Sequence, residues 1–251
     1  MTKTLLITGG SRGIGAAAAR LAASRGWDVA VNYTRDAAAA EAVAADVRAV
    51  GRRALVLQAD VGVEADVMGL FAAIDRAWGP GQSLAGLVNN AGVVDVASRV
   101  DEMSAQRIER MFAINVFGSM WCAREAVRRM SRKHGGAGGV IVNLSSAAAK
   151  LGAGGQYVDY AAAKGAIDVF TLGLAREVAS EGIRVNAVRP GIIETDIHAS
   201  GGQPGRAAQM APLVPMQRAG TAEEVAQAIV WLLGDDSGYT TGTVLDVTGG
   251  R

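Results

Sequence analysis

Tyr160 and Lys164 stand four residues apart, a spacing that puts both on one face of a helix. A free tyrosine titrates near pH 10, too high for proton transfer at neutrality, and a neighbouring ammonium lowers that value by favouring the phenolate. Bringing it to about 7 takes roughly 4 kcal/mol, so one lysine needs help from a further positive charge bound nearby. Such a pair suits a general acid toward a carbonyl or a general base toward an alcohol. The same spacing also arises by chance, as a surface tyrosine beside a solvated lysine. Ser145-Ser146 lies a short way upstream. A serine hydroxyl can hold a substrate oxygen and stabilise charge developing on it, and serine is equally at home as a cap. Asn115, in the apolar run Ile114-Asn115-Val116-Phe117, needs partners if buried, either within a core or within a site.

A second kind of chemistry sits near the start. Thr8-Gly9-Gly10-Ser11-Arg12-Gly13-Ile14-Gly15 follows an apolar run and opens an alanine-rich stretch. Glycines there permit a tight turn and close approach of a diphosphate, and a helix amino terminus offers its free N–H groups to an anion. An ordinary strand-to-helix turn would look similar, but the strand–turn–helix context that nucleotide binding requires is present. The next strand ends in Asn32-Tyr33-Thr34-Arg35, the place where a dinucleotide ribose is read. An acidic residue would hold the hydroxyls of NAD, yet none occurs before Asp36. Arg12 and Arg35 instead offer forked donors to an extra phosphate, which favours NADP over NAD.

These residues need a frame that brings them together. Apolar runs at Lys3–Thr8, Asp28–Tyr33, Ala54–Ala59, Leu87–Val88, Gly139–Leu144, Arg184–Val188 and Thr243–Val247 read as strands. Between them, Gly13–Gly26, Asp36–Val50, Glu64–Trp78, Arg107–Arg132, Tyr157–Glu181 and Ala222–Gly234 read as helices. Strand and helix in alternation imply an α/β fold: a doubly wound, Rossmann-type parallel sheet of about seven strands with helices on both faces. The whole chain, 1–251, reads as one dinucleotide-binding and catalytic domain. The segment 193–218 carries Pro204, Pro212 and Pro215 and reads as a loop that could serve as a substrate lid.

Composition narrows the function classes. Lysine plus arginine is 25 against 24 for aspartate plus glutamate, a balance that offers no electrostatic case for nucleic acid or an anionic membrane. One cysteine, Cys122, excludes an intrachain disulfide. With only His134 and His198 as histidines, no metal is expected. No signal-like or membrane-spanning run is visible, so a cytoplasmic location is expected.

Thr8-Gly9 with Gly13 and Gly15, Asn89-Asn90-Ala91-Gly92, Ser145-Ser146, Tyr160 with Lys164, and Pro190-Gly191 with Thr195 occur in the order of the motifs of the short-chain dehydrogenase/reductase family. Along its whole length the chain resembles that family, and is similar to its glucose-dehydrogenase-like and 3-oxoacyl-reductase-like members. The resemblance implies a catalytic set of Asn115, Ser146, Tyr160 and Lys164. It favours Ser146 over Ser145, although the spacing to Tyr160 is one residue longer than the family's commonest. It implies a distorted helix at Asn115 and a water linking Asn115 to Lys164. It places Asp60 and Val61 at the adenine; Asn89, Ala91, Gly92, Pro190 and Gly191 around the cofactor; and Ile193 and Thr195 at the nicotinamide amide. Lys164 would bind the ribose as well as tune Tyr160. The implied activity is hydride transfer between NADP(H) and a carbonyl or secondary alcohol by a homotetramer. A non-catalytic dinucleotide-sensing protein of the same fold is the alternative, against which the intact Ser146, Tyr160 and Lys164 set argues. Ala147, Ala148 and Ala149 suggest room for substrate.

Overall fold

A computed structural model describes residues 3–79 and 84–251. In chain order the elements are β1 (Thr4–Ile7), α1 (Gly13–Ser24), β2 (Asp28–Tyr33), α2 (Ala37–Ala49), β3 (Ala54–Gln58), α3 (Glu64–Trp78) and β4 (Leu84–Asn89). Then come α4 (Ala105–Phe112), α5 (Gly118–Met130), β5 (Gly139–Leu144), α6 (Ala148–Leu151), α7 (Val158–Val178) and β6 (Ile183–Pro190). The chain closes with α8 (Ile197–Ser200), α9 (Arg206–Met210), α10 (Ala222–Leu233) and β7 (Val244–Val247). Among the described residues seven strands form one sheet in the order β3-β2-β1-β4-β5-β6-β7. Every neighbouring pair is parallel. This is the doubly wound α/β arrangement expected from the alternating pattern.

The strands alternate their side chains between two cores. In β1, Leu5 and Ile7 join one cluster with the alanines of α1 and with Val225 and Ile229 of α10. Leu6 joins the other, with Phe71 and Ile74 of α3, Cys122 and Met130 of α5, and Ala175 of α7. Small side chains let α1 lie close against the sheet, and alanine favours its helix. The strand order reverses between β1 and β4, which opens a crevice at the carboxyl ends of the strands. Among the described residues no helix is long and apolar enough to cross a membrane.

Three expectations change. The long helix at Arg107–Arg132 is two helices, with Ser104 capping α4 and a π-helical turn at Ala113–Phe117 before α5. The Asn115 side chain donates to the Met111 carbonyl at 3.0 Å, the acceptor a regular helix would give to the Asn115 backbone N–H. The fourth strand is longer than Leu87–Val88, because Gly86 belongs to it. A Cβ there would lie 2.7 Å from Leu5 Cδ1, so glycine is what the neighbouring strand requires. The segment 193–218 is not a plain loop but carries α8, α9 and a 3-10 turn at Ala211–Leu213.

Candidate functional site

Gly9 and Gly13 adopt positive φ of 61° and 52°, a conformation glycine enters without strain. Between them the chain turns from β1 into α1. A Cβ on Gly15 would stand 2.5 Å from Asn90 Nδ2, so the helix start can meet the β4 loop only through glycine. Asp36 caps α2 by accepting from Ala39 N–H at 2.9 Å, and Thr221 caps α10 in a box with Glu224. By contrast, no side chain caps α1, and its first turn holds no acidic residue. Its amino-terminal N–H groups are thus left for an anion.

Asn32 holds this loop from below. Its Oδ1 accepts from Gly9 N–H at 3.2 Å, while its Nδ2 donates to Ala59 O at 3.0 Å. The amide is buried and committed to the scaffold. Thr34 Oγ1 donates to Ala59 O at 3.4 Å, and Tyr33 is half-buried against the core. Arg12 and Arg35 are exposed, and neither forms an ion pair or side-chain hydrogen bond among the described residues. Asp60 Oδ1 accepts from Gly62 N–H at 2.8 Å. Val61 is buried beside Gly118, where a Cβ would lie 2.6 Å from the Val61 carbonyl.

The loop after β4 is tied to the glycine loop by Thr8 and Asn90. Thr8 Oγ1 accepts from the N–H groups of Asn90 and Ala91, both at 3.0 Å. Asn90 Nδ2 donates to the carbonyls of Thr8 and Gly9, both at 2.9 Å. Asn90 lines the cleft that also holds Ser146, Tyr160 and Lys164. Asn89 does not: its amide donates to Ser119 O at 3.0 Å and to Asn143 Oδ1 at 2.9 Å, within the buried interior. Ala91 packs beside Gly9, whose Cβ would stand 2.9 Å from the Ala91 Cα.

The proton-transfer candidates meet in a cleft of about 190 Å3, which Ser146, Tyr160 and Lys164 line together with Ile14, Gly92, Pro190, Gly191, Ile193 and Thr195. The two serines part ways. Ser145 is buried and donates to the Lys164 carbonyl at 3.3 Å. The Ser146 hydroxyl accepts from Ala148 N–H at 3.1 Å and lies where it favours the charged form of the Tyr160 phenol. Burial pushes the Tyr160 phenol above its usual pKa, and the Ser146 hydroxyl opposes this. Lys164 was expected to depress the phenol. Its ammonium instead donates to the Leu144 carbonyl at 2.7 Å and sits 5.6 Å from the centre of the Tyr160 ring. Burial pulls the Lys164 pKa down to about 8, while Asp168, one turn on, favours the charged form.

Asn115 is fully buried behind Gly92. It donates to Val93 O at 3.0 Å and accepts from Val93 N–H at 3.2 Å, holding the β4 loop from both sides of one residue. A Cβ on Gly92 would stand 2.8 Å from Asn115 Oδ1 and 3.4 Å from Lys164 Nζ. Gly92 therefore leaves the space that separates amide from ammonium. On the far wall, Pro190 O accepts from Ala147 N–H at 2.9 Å. Gly191 passes Thr248 so closely that a Cβ would meet its Cα at 2.8 Å. Ile193 is buried, and Thr195 reaches across to the glycine loop, 3.3 Å from a Cβ placed on Gly13.

Sequence reasoning missed Asn90, Tyr157 and Arg206 as cleft residues. Asn90 carried a signal, since it sits within the Asn89–Gly92 motif. Arg206 meets Tyr157 only through tertiary folding.

A family model described as enoyl-(acyl carrier protein) reductase matches residues 9–251. An uncharacterized oxidoreductase, YgfF, of Escherichia coli (strain K12) is 54% identical over 246 residues, covering 98% of this chain and 98% of that one. The 3beta-hydroxysteroid dehydrogenase 1 of Eggerthella lenta is 38% identical over 250 residues, covering 99% of this chain and 93% of that one. A crystal structure of a short chain dehydrogenase from Burkholderia cenocepacia in complex with NADP aligns with a TM-score of 0.90 at 34% identity, covering 100% of this chain and 98% of that one.

Proposed function

The chain belongs to the short-chain dehydrogenase/reductase family of oxidoreductases, and on that premise we propose that it moves a hydride between NADP(H) and a carbonyl or secondary alcohol carbon, with Tyr160 as the acid or base. The observation that carries this reading is the convergence of Tyr160, Ser146 and Lys164 on one cleft beside an uncapped helix amino terminus. When bound, the nicotinamide supplies or accepts the hydride. Everything else falls to the protein.

The dinucleotide's anionic groups suit the donors present. Gly9, Ser11, Gly13, Ile14 and Gly15 form the diphosphate turn, with N–H groups and no competing carboxylate. Arg12 and Arg35, exposed and without an ion-pair partner among the described residues, would take the extra phosphate of NADP. Asn32, Tyr33 and Thr34 support the ribose end through the scaffold, and Asp60 with Val61 would border the adenine. Gly92 would shape the floor, with Ala91 packed beside Gly9 and Asn89 anchoring the strand end from the interior, and Pro190, Gly191, Ile193 and Thr195 would form the wall at the nicotinamide. Lys164 would bind the ribose.

Ser146 would hold the substrate oxygen while Tyr160 gives it a proton. Burial keeps the phenol in the protonated form from which a general acid toward a carbonyl starts, and bound positive charge would have to lower its pKa for transfer at neutrality. Lys164 would hold the ribose and supply positive charge when the tyrosine turns anionic. Asn115 keeps the β4 loop and Gly92 in position, and its π-helical turn would seat the relay water beside Lys164. The segment 193–218 closes one side of the cleft as the lid of a single 1–251 domain. Exposed Phe117, Val169 and Leu172 on neighbouring helices would be covered in a homotetramer, which sedimentation would detect.

The test is oxidation of NADPH and NADH against ketones, aldehydes and 3-oxoacyl thioesters, with Tyr160→Phe beside the wild type. NADPH-dependent turnover that falls about 100-fold or more in the variant is expected. Tight NADPH binding with no turnover on any substrate would favour the sensing protein instead.

A further inference from the structure

The substrate end of the cleft holds a cation that the reaction does not use. Arg206, the first residue of α9, lines the cleft. Its guanidinium stacks 5.3 Å from the centre of the Tyr157 ring, and Tyr157 is buried just before Tyr160 in the chain. Two neutral amides hold it: Arg206 donates to Gln203 Oε1 at 2.7 Å and to Gln156 Oε1 at 2.9 Å.

The charge balance around it is unusual. Arg107 pairs with Asp159 at 2.8 Å, Arg189 with Asp168 at 2.9 Å, and Lys150 with Asp246. Arg206 has no carboxylate partner among the described residues. A guanidinium has only donors, so both glutamine oxygens must face it, which leaves both amide nitrogens as donors too. The cluster is thus a fixed cation with spare N–H groups. Its complement is an acceptor-only group of one negative charge. The same cleft is lined by the apolar side chains of Val94, Ala148, Leu151, Ile192 and Ile197.

We propose that Arg206, stacked on Tyr157 and held by Gln156 and Gln203, is a specificity-determining residue that receives the carboxylate of an oxo-acid substrate with an apolar body. The inference rests on the reading of the cleft as a carbonyl-reduction site. The oxo group lies against Ser146 and Tyr160 and the apolar chain along Val94 and Ile197.

The experiment compares oxo acids from 4-oxopentanoate to 7-oxooctanoate with their methyl esters. NADPH oxidation is followed with the wild type, Arg206→Gln and, as a control, Arg251→Gln, since Arg251 also lines the cleft. At least one acid is expected to exceed its ester in kcat/KM by roughly ten- to hundredfold, the worth of a hydrogen bond to a charged group. Arg206→Gln is expected to erase that preference and Arg251→Gln to keep it. Calorimetry on Tyr160→Phe, with and without Arg206→Gln, reads the same acid-over-ester preference as binding and needs no turnover. Esters that match or beat every acid overturn the proposal. So does an equal loss on acids and esters in Arg206→Gln, the result of a merely structural latch, or a preference that follows Arg251. Acid-selective binding without any NADPH oxidation would leave Arg206 assigned and remove the reductase reading instead.

Discussion

Lys164 carries its charge where almost no solvent reaches it. It is 4% exposed, and burial takes its pKa from 10.5 to about 8. Below pH 8 the lysine is charged in both the folded and the unfolded chain, so the folded state bears the whole desolvation penalty. Above pH 10.5 it is neutral in both, and the penalty is gone. Between these values the unfolded chain binds more protons, so this group makes wild-type stability rise with pH. The gap from 10.5 to about 8 corresponds to about 3 kcal/mol. Lys164→Met keeps the apolar bulk and removes the charge. It also removes the hydrogen bond to Leu144 O, which opposes the gain by about 1 kcal/mol. The variant is therefore expected to be about 2 kcal/mol more stable than wild type at pH 7, while its turnover is lost. That gain should shrink from pH 8 upward and change sign near pH 10. Denaturant unfolding of both proteins without cofactor, at several pH values, measures the difference and cancels the groups they share. A variant less stable than wild type at pH 7, or a difference that stays flat from pH 8 to 10.5, would refute the assignment of a strained, charged lysine.

Gly92→Ala would push a methyl to 2.8 Å from Asn115 Oδ1, whose amide is pinned by Val93 and Met111. Displacing it should weaken one or two hydrogen bonds, lowering stability by about 1–2 kcal/mol in unfolding experiments and activity by about tenfold or more. Arg12→Gln and Arg35→Gln should each raise KM for NADPH about three- to tenfold and leave KM for NADH nearly unchanged, as steady-state kinetics would read. Asn143→Ala breaks the buried chain from Asn89 through Asn143 to Thr171. It should cost about 2–3 kcal/mol in denaturant unfolding with KM for cofactor little altered, because that chain lies away from the cleft.

What was legible in the sequence was set by short-range rules. The glycine turn, the apolar strands and the four-residue step from Tyr160 to Lys164 each carry their signal in adjacent residues. The fourth strand was cut short at Leu87–Val88 because Gly86 lowers strand propensity, and the reason for that glycine, Leu5 on the next strand, is distant in sequence. The helix across Arg107–Arg132 had the right period, but its break depends on where one amide points. Asn89 and Asn90 look alike in the chain. Strand alternation sends the first toward Asn143 and leaves the second, just past the strand end, to bind the glycine loop.

The lysine and the arginine of the cleft show why charge was the least legible feature. The helix spacing correctly put Lys164 beside Tyr160, yet electrostatics depends on where the ammonium ends, and it ends on the Leu144 carbonyl. Burial then dominates both groups, raising the pKa of the Tyr160 phenol and lowering that of the Lys164 ammonium. In the sequence Arg206 reads only as one of two arginines, with Arg218, in the 193–218 segment, and no basic cluster marks an acid site, because its neighbours that hold it are neutral. A balanced composition hides such a residue, since 25 cations and 24 anions leave the sum unmoved by one unpaired guanidinium at a cleft mouth. The oxo-acid preference proposed for this cleft rests on that local imbalance of charge, and the imbalance becomes visible only once each ion pair has been placed in space.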